Sequence, residues 1–207
     1  MVFAKIYLLC KIFFRKFMSG AEFERRDRRD RSNGDELIPR VSHESMWSLL
    51  REFSEVQGSV DHLVGTYLGR ISTVNPIVVE YILGVAVRMP KGLSAAPVAM
   101  AGILVYRVLE LEFEQLGKKM PIVQREIADR LKTDPDQKKR YFLESGISLV
   151  TENHVLLEYL ASFPLTLIGL FKEEVPRNQV ASLVLETGLG VYALIKAQRE
   201  VDILSCL

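Results

Sequence analysis

Apolar residues recur at three- and four-residue intervals along most of the chain, and the longest unbroken run of that spacing lies between Leu93 and Lys118. Such spacing lays a broad apolar face along one side of a helix. Met100, Leu104, Val108 and Leu111 form one row, and Val98, Val105, Leu109 and Phe113 form a second beside it. Ser94 is placed to cap the start, Pro97 falls in the first turn, where a missing N–H costs little, and Gly117 marks the stop. No side chain from Gly92 to Tyr106 is charged, so the first half of this helix is expected to be buried all round and the helix to sit at the centre of the fold. Ala95, Ala99 and Gly102 form a small-residue strip for the close approach of a neighbour. Arg107, Glu110, Glu114 and Lys118 make the opposite stripe, which is expected to face water, with Arg107–Glu110 and Glu114–Lys118 as pairs. A membrane-inserted hairpin needs roughly 18–20 apolar residues, more than this uncharged run supplies.

The same pattern predicts helices on both sides. Ser42 to Ser72 reads as helix with a break at Gln57-Gly58, carrying Trp47, Leu50, Phe53 and Val56 on one face and Val60, Leu63, Tyr67 and Ile71 beyond the break. Gly65 and Gly69 have the spacing of a close helix contact. Asn75-Pro76 reads as a cap and first-turn pair that opens Ile77 to Met89. Pro121 is expected to open a short helix with Ile122, Ile127 and Leu131 inward, and Asp134-Pro135-Asp136-Gln137 repeats the start signal. The next helix carries Tyr141, Phe142, Ile147, Leu149 and Val150, and its pattern can be followed through His154 and Leu157 to Phe163-Pro164. A last helix opens around Pro176 to Asn178 and turns Val180, Leu183, Val184, Val191, Leu194 and Ile195 inward, with Gly188 and Gly190 weakening its middle. Sustained period-two alternation is missing, which makes the fold class all-α: a single-domain helical bundle of about six to eight helices spanning residues 41–204.

Residues 1–18 differ from this body. They combine Phe3, Ile6, Leu9, Phe13 and Phe17 with Lys5, Lys11, Arg15 and Lys16, and no acid precedes Glu22. On a helix the four cations fall within about 140° of arc and leave a wide apolar face, the pattern of an interfacial anchor touching membrane through residues 2–17 or of an organellar import peptide. The competing reading starts the protein at Met18. Residues 19–40 read as a charged flexible linker. Arg25, Arg26, Arg28 and Arg29 are offset there by Asp27 and Asp30.

Composition narrows the functional classes. The 207 residues have a net charge of +1 and a hydrophobic fraction of 48%, values that suit a filled globule without global attraction to nucleic acid or anionic lipid. Ten Lys and Arg against six Asp and Glu lie in residues 1–40, so the basic excess is confined to the tail. Cys10 and Cys206 have no metal-ligand spacing and read as free thiols in a reducing, cytoplasmic setting.

Candidate chemistry is sparse. His154 and Glu158, four apart, are the one His–carboxylate pair on a helical face, but the Glu-x-x-His repeat of metal-binding bundles is missing. Glu110, Glu112 and Glu114 read as a solvated face with Glu112 turned away from the other two. Nucleophile-elbow, phosphate-loop, dinucleotide and zinc motifs are missing, so no catalytic, cofactor or metal residue is assigned and no cofactor is expected. Val123 to Leu131, VQREIADRL, resembles the first helix of a helix-turn-helix DNA-binding unit. That family commonly has glycine where Lys132 stands and an apolar anchor where Lys138 stands. The resemblance implies a regulator using residues 121–145, with Lys138, Lys139 and Arg140 as phosphate contacts. That regulator is the alternative; the main reading, drawn from an apolar helical body without catalytic motifs, is a non-catalytic protein-interaction or assembly component that binds a protein partner or itself, with membrane-surface contact through residues 2–17 as an added expectation.

Overall fold

The computed structural model describes residues 37–56, 58–169 and 177–205. Among them are eight helices and no strand: α1 His43–Glu55, α2 Val60–Val74, α3 Pro76–Ala86, α4 Ala96–Gln115, α5 Arg125–Thr133, α6 Pro135–Thr151, α7 His154–Gly169 and α8 Arg177–Leu204. The bundle is built on α4 and α8, which pack along one another. Around them, α1, α2, α3 and α7 lie against α4, and α3, α5, α6 and α7 lie against α8.

Every residue of α4 from Ala96 to Tyr106 is buried, as its uncharged sequence requires. The cap differs in detail from the sequence reading. Ala95 is the N-cap, and Ser94 still serves the first turn, its Oγ accepting from the Ala96 N–H at 3.1 Å. At the other end Gly117 adopts φ +65°, while the Gly117 and Lys118 N–H groups bond back to the Glu114 and Phe113 carbonyls. This glycine-terminated closure satisfies carbonyls that the helix leaves open. Gly102 is where the neighbours come close: a Cβ there would lie 2.5 Å from Ile82 of α3 and 3.0 Å from Thr187 of α8.

The far side of α4 faces water at Glu114 but is partly covered at Arg107 and Glu110. Arg107 and Glu110 are half-buried because α1 and α2 lie over them. Arg107 pairs with Glu110 on its own helix and with Glu52 of α1 at 3.2 Å, and the Tyr67 hydroxyl of α2 donates to the same Glu52 at 2.9 Å. Desolvation raises the Glu110 carboxyl above its ordinary value against the opposing pull of Arg107. Glu112 is likewise no solvated residue. It is buried, and its Oε1 accepts from both the Ser42 N–H at 2.7 Å and the Ser42 hydroxyl at 2.8 Å.

Other expectations shift for local reasons. The buried face of α1 is Met46, Leu49, Leu50 and Phe53, which turns Trp47 outward. Asn75 is the N-cap residue of α3, with Pro76 in the first turn as expected, but its side chain makes no capping bond. Its side chain is used elsewhere, donating to the Pro121 carbonyl at 2.9 Å and accepting from the Val123 N–H at 3.0 Å. Residues 121–124 thereby stay outside the helix, α5 begins at Arg125, and Val123 is buried where Ile122 was expected. Gly65 and Gly69 face open space. Gly188 and Gly190 are the packing notches instead: a Cβ on the first would collide with Leu160 of α7 and on the second with Tyr81 of α3. The helix after Asp134 breaks at Glu152-Asn153, and α7 runs on through Phe163 and Pro164.

Residues Gln179–Leu204 are long and apolar enough to cross a membrane by length and composition, and 67% of the apolar window is buried inside the protein, as in a core helix.

Candidate interaction surface

The region around α6 gathers the residues to which the sequence assigns phosphate contact. Asp134 Oδ1 accepts from the Asp136 N–H at 3.0 Å, an acceptor for an N–H that the first turn leaves unpaired, and Pro135 opens the helix. Lys139 and Arg140 are exposed near this end. Arg140 Nε pairs with Glu144 at 2.8 Å, and that contact raises its already high pKa. Lys138 stands on the same helix, its side chain outside the described residues. Helix α5 continues through Lys132 to Thr133, and Asp134 alone separates it from α6. The turn therefore falls after the place where helix-turn-helix units carry it.

Farther along, α6 turns its apolar side the unexpected way. Its fully buried positions are Ser145, Ser148 and Leu149. Leu143, Ile147 and Val150 point outward at 63%, 55% and 61% exposure. Their spacing of four and then three places them in one line on the helix. Burying a side chain of this kind stabilises a fold by about 1.5–3 kcal/mol, so the stripe leaves a sizeable apolar contribution unused. Single exposed aliphatic residues are ordinary; these three stand together as one apolar strip.

Polar bonds fix this orientation. The Ser148 hydroxyl shares a 2.9 Å hydrogen bond with the Tyr192 hydroxyl of α8 and donates to Glu152 at 2.7 Å. Asn153, buried at the corner between α6 and α7, donates to the Tyr192 hydroxyl at 3.1 Å and accepts from the Val41 N–H at 2.7 Å. Rolling α6 to bury its apolar row would break these bonds and leave buried polar groups unpaired, at about 1–3 kcal/mol each. Residues Ile38 and Val41, entering the core beside this corner, are buried.

The remaining candidates are dispersed. His154 and Glu158 are exposed on the first turns of α7, and His43 lies edge-on to Tyr159 with ring centres 6.3 Å apart. Among the described residues no group of three or more His, Cys, Asp or Glu is arranged to hold a metal ion. Lys5, Lys11, Arg15 and Lys16 lie outside the described residues. The stripe itself was missed in the sequence because Tyr141, Phe142 and Leu149 interrupt its phase with a second apolar row. No family model, curated protein or solved structure matches this chain.

Proposed function

We propose that this chain is a non-catalytic, helical protein-interaction component whose contact surface is the outward row of α6. The observation that carries the reading is the line of Leu143, Ile147 and Val150, held toward solvent by the bonds of Ser148 and Asn153 on the opposite side. An all-helical body with a sealed apolar centre suits a scaffold that presents such a row on a rigid element.

Thiol labelling inside cells tests it. The full chain carrying Ile147→Cys is compared with the full chain carrying Val87→Cys, whose position at the end of α3 is 79% exposed. A docked row makes the thiol introduced at position 147 react on the order of tenfold more slowly than the one at position 87, while both react alike after denaturation. Equal rates in the cell remove the reading. Salt-dependent DNA binding abolished by Lys139→Ala and Arg140→Ala would replace it with the DNA-binding regulator.

A further inference from the structure

We propose that the α6 row docks on the same row of a second copy of this chain, the two helices antiparallel about a two-fold axis, an inference that rests on the row being a docking surface. The row is self-complementary in spacing. Leu143, Ile147 and Val150 are separated by four and then three residues, and read from the other end by three and then four. Turned end for end, Leu143 of one copy lies across from Val150 of the other, and the axis passes between Gly146 and Ile147. Gly146 sits beside the row, and a Cβ there would meet nothing within 4 Å. In the two-fold arrangement that bare position receives the Ile147 side chain of the other copy, so the helices approach without displacing any group of the body.

Charge decides the occupant and its direction. From Asp136 to Glu144, at the N-terminal end of the row, Lys138, Lys139 and Arg140 stand against those two acids. From Thr151 to Glu158, at the other end, Glu152 and Glu158 are exposed and no lysine or arginine occurs. A partner of one sign would satisfy only one end. Antiparallel pairing of two copies brings each basic end to an acidic end, twice by symmetry, whereas parallel pairing sets like ends together. The helix dipoles agree, because each positive N-terminus then lies beside a negative C-terminus. Three side chains and their flanks per copy cover less than the roughly 800 Å² per partner of a stable complex, so the population of the dimer follows protein concentration.

Disulfide bridging tests both the occupant and its direction. In full chains carrying Cys10→Ser and Cys206→Ser, a Leu143→Cys protein is mixed with a Val150→Cys protein and oxidised mildly with diamide, two thiols giving one disulfide as the diamide is reduced. The expected product is a dimer bridged from position 143 to position 150. Its rate rises with protein concentration and is on the order of tenfold above that of either protein alone or of a Leu143→Cys and Val87→Cys mixture. Like positions lie about 10 Å apart along the axis, beyond the roughly 7 Å between Cα atoms that a disulfide spans. Adding Lys139→Glu, at an exposed position, to both chains slows the mixed reaction several-fold without moving the thermal unfolding midpoint. A mixture no faster than either protein alone overturns the proposal, as does bridging of like positions at the mixed rate or a mixed rate unaffected by Lys139→Glu. Slow labelling of the Ile147→Cys chain in cells, without the mixed bridging, assigns the row to a different protein, overturning this occupant while leaving the docking surface standing.

Discussion

Glu112 of α4 and Ser42, 70 residues earlier, are joined twice: one carboxylate oxygen accepts the N–H and the hydroxyl of the same serine. Ser42 in turn caps α1, its Oγ accepting from the Ser45 N–H at 3.1 Å, while Gln115 donates to the Ser45 hydroxyl at 2.9 Å. A charged acceptor from the central helix thus fixes where α1 starts. Glu112→Ala leaves the buried Ser42 N–H unpaired, while the Ser42 hydroxyl keeps the Ser45 hydroxyl at 3.0 Å, and is expected to lower unfolding free energy by about 1–3 kcal/mol in urea titration, with Glu112→Gln costing less because an acceptor oxygen remains. An unchanged midpoint for Glu112→Ala would show that water replaces the carboxylate without loss.

Glycines of one residue type separate into two classes. Gly190→Ala drives a methyl group into Tyr81, and a cost of about 1–3 kcal/mol is expected despite the better helix propensity of alanine. Gly65→Ala meets open space on an exposed helical surface, so the propensity gain stands alone and the midpoint should rise by the equivalent of about 0.5–1 kcal/mol. Calorimetry on the two variants gives opposite signs; matching signs would disprove the packing assigned to Gly190.

Burial pushes the Tyr106 phenol up to about 12, with Glu110 adding to the shift. Asn75 opposes the shift but makes no hydrogen bond of ordinary geometry to this hydroxyl. The folded state therefore holds the phenolic proton more tightly than the unfolded chain does. That contribution is complete below the ordinary tyrosine value of about 10 and is lost as pH rises through about 12. Tyr67 and Tyr81 are shifted in the same direction, chiefly by burial. Stability measured from pH 9 upward should fall across this window, and Tyr106→Phe should flatten the fall by on the order of 1–2 kcal/mol. An identical alkaline slope in the variant would remove Tyr106 from the account.

Asn153 ties three elements at one point, reaching Val41 with its carbonyl oxygen and Tyr192 with its amide. Asn153→Ala removes both bonds, and a loss of about 2 kcal/mol is expected, with faster amide exchange at Val41 as the local sign. Exchange at Val41 equal to that of the parent would mean the segment is held by the burial of Ile38 and Val41 alone.

The all-helical class and the central helix were legible because they depend on nearest-neighbour chemistry: period, uncharged length, Pro97 and Gly117. Facing was less legible. Trp47 reads as a core residue from its spacing, yet Met46 and Leu49 take the inward positions one step round the helix. Asn75 reads as the cap of α3 and is, but its side-chain partners lie at Pro121 and Val123, too far along the chain for any local pattern to reveal. The α6 row was hidden for the same reason. Ser145 and Ser148 look like surface residues until Tyr192, 44 residues beyond Ser148, supplies the hydroxyl that makes Ser148 an inward position.

Helix α8 packs against α3, α4, α5, α6 and α7, and it is the last of the eight to be synthesised. When Gln115 has been added, α4 is complete but its principal neighbour is not, and the residues up to Leu204 take on the order of 5–20 s to make. During that interval one flank of a helix apolar on every side through Tyr106 lacks its cover. Closure of the core around α4 therefore waits for the last helix, however early α4 itself forms.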